Sequence, residues 1–139
     1  MGTFRSDYIV ENILNRSKSA LVSDALDTGS EYSWLPGETL KFINVAREKK
    51  DLTFTMANGQ HVTRSVGFAI IRLDDAFTVD EVVFAEPGDL TLLGARSLEG
   101  LNLTVDPGGK KLVAAGPRPA ASQPKRAGPN TKKRSKGKR

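Results

Sequence analysis

Leu26-Asp27-Thr28-Gly29-Ser30 places a carboxylate between an apolar run and a hydroxyl residue followed by glycine. A carboxylate at the tip of a tight turn suits acid–base work. It stays reachable, and the glycine lets backbone N–H groups come close enough to hold its charge. Three common residues also make an ordinary turn, and on these residues alone that plainer reading stands beside the chemical one. The rest of the chain offers less. It contains no cysteine, which removes a thiol nucleophile and a disulfide framework. His61, the one histidine, neighbours a hairpin tip with no Ser or Cys partnership and reads as an exposed polar residue. No His/Cys/Asp/Glu grouping has metal-ligand spacing, so neither a metal nor another cofactor is expected. Gly108-Gly109-Lys110 lacks the remainder of a phosphate-binding loop and reads as a turn.

The elements that must position Asp27 are short strands. Thr3 to Ile13 and Lys18 to Leu26 are extended apolar-bearing segments joined by a turn at Asn15 to Ser17. Tyr32 to Leu35 is a short apolar stretch ended by Pro36-Gly37. Glu38 to Val45 fits a short helix or an irregular loop equally well. Leu52, Phe54 and Met56 alternate with Thr53 and Thr55, the signature of a half-buried strand, and Asn58-Gly59 is a strong hairpin signal. The return strand carries Val62, Val66, Phe68 and Ile70, with a bulge expected near Ser65 to Gly67. Ile71 to Leu73 leads to an Asp74-Asp75 turn, and Phe77 to Phe84 comes back as a further strand. Leu90 to Leu93 follows Pro87-Gly88-Asp89. Ala95 to Glu99 fits one helical turn stopped by Gly100. Leu101 to Val105 pairs through Asp106 to Gly109 with Lys111 to Ala115. Many short strands at regular spacing predict an all-β, closed barrel with one short helix.

Charge divides the 139 residues into two regimes. Of 21 Lys and Arg, nine fall between Pro117 and Arg139 with no acid among them, leaving twelve against sixteen acids before that point. The front part is therefore about −4 and the tail +9. Residues 1–116 read as the folded domain. Residues 117–139, rich in Pro, Gly, Lys and Arg with no aliphatic larger than Ala, bury too little apolar surface to fold and read as a disordered basic tail. Such a tail suits weak, sequence-independent contact with nucleic acid, or with an acidic partner, and no aromatic is interleaved to stack bases. The N-terminus mixes Arg5, Asp7 and Glu11 into its apolar residues and does not read as a signal peptide. No run is long enough to cross a bilayer, and with the absence of cysteine this points to a cytoplasmic chain.

Read together and in order, Leu26-Asp27-Thr28-Gly29-Ser30, Ser33-Trp34-Leu35-Pro36, Ala57-Asn58-Gly59, Leu92-Leu93-Gly94, Ser97-Leu98-Glu99 and Leu103-Thr104-Val105-Asp106 resemble the single-domain retropepsin-like aspartic proteases. The resemblance spans about Tyr8 to Val113. It implies a retropepsin-like barrel and an aspartic endopeptidase with Asp27 catalytic. Amide hydrolysis by unactivated water needs one carboxylate to accept a proton and a second, protonated, to donate one. This chain has one Asp-Thr-Gly. Asp24 would face the opposite side of its strand, and Asp74, Asp80, Asp89 and Asp106 lack the Thr-Gly. The second carboxylate must come from another copy, which predicts a homodimer with the site on its two-fold axis.

The resemblance also implies roles for neighbours. Thr28 would bond the backbone of the partner's matching turn, Gly29 would offer its N–H to the carboxylate, and Leu92, Leu93 and Gly94 would pack beneath the turn. Met56 to Val62 would form a mobile flap, with Ala57, Asn58, Gly59 and Gln60 closing on an extended polypeptide substrate. A Ser30 hydroxyl donating to ionised Asp27 would favour the charged form, predicting an acid-shifted pH optimum that Ser30→Ala moves upward. Trp34 reads as a core aromatic or as the border of a specificity pocket. Arg96 sits one residue off the position at which retroviral members carry an arginine and is not placed in the site. Two other classes stay open: a non-catalytic binding or dimerisation module on the same fold, and a nucleic-acid-associated protein driven by its tail.

Overall fold

Alternating burial along the first two strands shows how the sequence builds the wall. In β1 (Arg5–Asn12) Tyr8 and Val10 point inward, and in β2 (Ser19–Asp27) Val22, Asp24 and Leu26 do, while Leu21, Ser23 and Asp27 face out. The computed structural model describes residues 5–106, 108 and 111–118. The tail expected from 117 onward therefore lies, apart from Pro117 and Arg118, outside the described residues. The remaining elements are β3 (Ser33–Pro36), α1 (Gly37–Phe42), β4 (Lys49–Thr55), β5 (His61–Leu73), β6 (Ala76–Ala85), β7 (Leu92–Gly94), α2 (Ala95–Gly100), β8 (Leu103–Asp106) and β9 (Lys111–Ala114).

The strands run in the order β1-β2-β7-β3-β6-β5-β4, and β1 also pairs with the second half of β5. Six strands thus close into a barrel, and β4 hangs from the first half of β5 as the outer arm of a hairpin. Closure removes free edges that would otherwise template pairing with other chains. Inside, Tyr8, Val10, Leu35, Ile71, Phe84 and Leu93 meet Leu40 and Ile43 at the end of α1 and Leu98 and Leu101 at the end of α2. The hairpin β8-β9 lays Leu103, Val105 and Leu112 against this core. A second cluster, Trp34, Val66, Val83 and Ala85, forms on the other face of β3 and β6. Those strands are buried on both sides, which is why Ser33–Leu35 and Val82–Ala85 are near-continuous apolar runs rather than alternating ones.

Three local expectations change. There are two short helices, not one, because Glu38 to Val45 takes the helical alternative. Each ends on an asparagine in the left-handed region, Asn44 at φ 65° and Asn102 at φ 58°. The N–H groups of Asn44 and Val45 return to the carbonyls of Lys41 and Leu40 at 3.0 and 2.9 Å. Gly100 is therefore not the helix stop. Its lack of a side chain serves contact instead, since a Cβ there would sit 2.1 Å from Thr78 Oγ1. The bulge lies on β4 rather than at Ser65 to Gly67: Lys49 pairs with Val66 and Leu52 with Arg64, so β4 carries the extra residue, with Asp51 at φ 57°.

Candidate functional site

β7 is threaded between β2 and β3, parallel to β2 and antiparallel to β3. Its register sets Leu92, Leu93 and Gly94 beside Ala25, Leu26 and Asp27. The chain leaving Asp27 must then cross over the end of β7 to enter β3. The crossing is close enough that a Cβ on Gly94 would lie 2.4 Å from the Tyr32 carbonyl oxygen, so only glycine fits. Backbone bonds fasten the crossing: Ala95 N–H donates to Ser30 O at 2.7 Å and Arg96 N–H to Glu31 O at 3.1 Å. Beneath it runs a buried relay in which Gly94 N–H donates to Ser33 Oγ at 2.9 Å, the Ser33 and Ser97 hydroxyls meet at 2.6 Å, and Ser97 donates to Asp80 Oδ2 at 2.8 Å. Because Ser97 gives its one proton to Asp80, Ser33 is the donor between the two serines. Nothing in the sequence marked this relay; serines 64 positions apart meet only after the crossing forms.

The turn itself is tight. Ser30 N–H returns to Asp27 O at 3.2 Å, and Gly29 N–H donates to Asp27 Oδ1 at 2.9 Å. A Cβ on Gly29 would be 3.2 Å from that oxygen. The Asp27 carboxylate is exposed, and Thr28 is exposed with no side-chain hydrogen bond among the described residues. Ser30 departs from expectation: its hydroxyl donates to Tyr32 O at 3.0 Å, so its proton is not directed at Asp27. The acid-shifted optimum and the Ser30→Ala shift lose their physical basis.

Asp27 opens onto a groove of about 530 Å³. One wall is the turn with Gly29, Ser30, Glu31 and Tyr32; the floor is Trp34 and Leu92; the opposite wall is Phe54, Thr55, Met56 and Ala57 of the hairpin, with Leu90 at the rim. Phe54 meets the edges of Tyr32 and Trp34 with centroids 5.4 and 5.2 Å apart, which joins the hairpin to the turn. Of the residues assigned to a flap, Met56 and Ala57 line the groove, whereas Asn58, Gly59 and Gln60 form the hairpin tip beyond it, with Gly59 at φ 88° and Met56 N–H bonded to Gln60 O at 2.7 Å. Leu92 lines the groove, Leu93 is fully buried in the core, and Gly94 is sealed under the crossing. His61 is exposed with its Nδ1 beside Thr55 Oγ1 at 3.1 Å.

The other carboxylates are engaged elsewhere. Asp24, 1% exposed, accepts the Tyr8 hydroxyl at 2.7 Å; burial and that neighbouring carboxyl push the Tyr8 phenol well above its ordinary value. Arg64 grips Asp89 through two bonds of 2.7 and 2.8 Å, holding its carboxyl below the ordinary aspartate value. Arg96 pairs with Glu81 at 3.4 Å and lies over the Tyr32 ring at 5.0 Å. Glu31, Tyr32, Phe54, Thr55 and Leu90 line the groove without having been singled out as site residues from sequence. The alternation of Phe54 and Met56 with threonines was the available signal, since it gives them one face. Among the described residues no three His, Cys, Asp or Glu side chains are placed to hold a metal ion, and no helix is long and apolar enough to cross a membrane. Compared with known proteins, the chain matches no family model and no curated protein.

Proposed function

We propose that the chain is a retropepsin-like aspartic endopeptidase, active as a homodimer in which two Asp27 carboxyls, one from each copy, activate water between them. The observation that carries this reading is an exposed Asp27, held by Gly29 N–H, at the edge of a groove walled by a β-hairpin. Asp27 also holds its own turn through Gly29 N–H, and the glycine crossing and buried relay beside that turn keep the exposed carboxylate in a defined position, which supports the reading. Two carboxyls brought about 3 Å apart would share one proton, so one accepts from water while the other donates to the peptide carbonyl. The aromatic lining of the groove suits the side chains of a polypeptide, and in this reading the β4-β5 hairpin that borders it closes over the substrate and excludes water.

The test is cleavage of a peptide library between pH 4 and 7 by the parent and by Asp27→Asn, repeated on dilution. Cleavage should fall about 10²- to 10⁴-fold in the variant. In the parent it should drop faster than protein concentration. Equal cleavage by both proteins, or activity per chain that is independent of dilution, would sink the dimeric mechanism.

A further inference from the structure

We infer that Glu31 makes this groove select peptides with a lysine or arginine close to a large apolar residue. The inference rests on the reading that the groove holds a polypeptide. Among the residues that line the groove, Asp27 and Glu31 carry charge and none is cationic. Glu11, Glu81, Glu86 and Asp89 are each tied into ion pairs, whereas Glu31 is exposed and forms none among the described residues. Its backbone is fixed, because Arg96 N–H holds its carbonyl at 3.1 Å, so the side chain projects from a rigid point. The guanidinium of Arg96 does not answer this charge: it lies over the Tyr32 ring and pairs with Glu81.

An unanswered carboxylate beside Tyr32, Trp34 and Phe54 matches both halves of a basic side chain. The methylene stem of a lysine or arginine packs along apolar surface while its head reaches the carboxylate, and aromatic faces attract the cation further. A neighbouring apolar residue of the peptide would fill the space between Phe54, Met56, Leu90 and Leu92. The same charge repels acidic peptides, so discrimination has an attractive and a repulsive part. Residues 117–139 meet the first requirement and fail the second, having no aromatic and, proline apart, no apolar side chain larger than alanine.

The experiment scans Lys, Gln and Glu through each position of a peptide cleaved by the parent, and compares parent with Glu31→Gln. At one position the parent should prefer Lys over Gln about tenfold in kcat/KM, and the ratio should fall toward one in the variant and in high salt. An identical ratio in both proteins, or no charge preference at any position, overturns the assignment. If no Asp27-dependent cleavage is found, the peptidase reading fails separately. The charge preference is then read from peptide binding to Asp27→Asn through the fluorescence of Trp34, the single tryptophan, on the groove floor. Tighter binding of the Lys peptide that Glu31→Gln removes supports the inference, and equal binding of Lys and Glu peptides overturns it.

Discussion

Asp27 and Gly94 are register partners at the ends of the parallel strands β2 and β7, although 67 positions separate them in the chain. The pairing sets Asp27 beside Gly94, the residue that the Glu31–Tyr32 backbone crosses. Position and chemistry are thereby coupled: whatever pushes β7 away from that crossing also moves Asp27.

Gly94→Ala tests the coupling. The added Cβ would lie 2.4 Å from Tyr32 O and 2.8 Å from Glu31 O, and both are backbone atoms that cannot rotate away. Overpacking of this kind costs about 1–3 kcal/mol. Thermal unfolding should show a clear loss of Tm, and peptide cleavage should fall at temperatures where the variant is still folded. A variant with parental Tm and activity would mean that the crossing is looser than described.

Ser30→Ala should leave the pH profile of kcat/KM in place. The hydroxyl donates to Tyr32 O, not to Asp27, so removing it does not change what stabilises the carboxylate charge. Loss of that half-buried bond should instead lower stability by about 0.5–1.5 kcal/mol. A profile that moves upward in pH would restore the role expected from sequence.

The Arg64–Asp89 pair predicts an acid-sensitive stability. Asp89 is held below its ordinary value, chiefly by the hydrogen bonds from Arg64, so it binds protons less readily folded than unfolded. Its contribution is present above the ordinary aspartate range and is lost as pH falls through the lowered value. Asp89 Oδ2 also accepts Glu86 N–H at 2.8 Å and so fixes the loop that carries Leu90 to the groove rim. Arg64→Met should weaken the dependence of Tm on pH below about 4 and raise KM for peptides. Denaturation curves from pH 2 to 7 check the first part; an unchanged slope would count against it.

Ending the chain after Arg118 separates the barrel from the basic tail. Asn102 Nδ2 bonds Gly116 O at 3.0 Å, and Ala115 N–H bonds Asn102 O at 2.9 Å, so the domain's own contacts reach this far. The shortened protein should keep parental Tm and peptide cleavage. Salt-sensitive retention on nucleic acid should be lost, because the truncation removes eight of the nine basic residues after 116. Loss of cleavage with the tail would favour a tail-driven function over the groove.

Local chemistry made much of this molecule legible. Strict alternation at Leu52, Phe54 and Met56 determined a one-faced strand, Asn58-Gly59 its reversal, and Asp27-Thr28-Gly29 a turn that exposes its carboxylate. Each of these depends on a few adjacent side chains and their preferred backbone angles, so each is readable without knowing what lies opposite. Tertiary structure alone decided that β7 enters between β2 and β3, that Gly94 must be bare to pass Tyr32, and that Ser30 turns its hydroxyl toward Tyr32 O. It also decided that Glu31 and Leu90, 59 positions apart, line one groove. A long-range pairing leaves no periodic trace in either partner, and a hydroxyl or carboxylate has several acceptors or donors in reach until packing removes all but one.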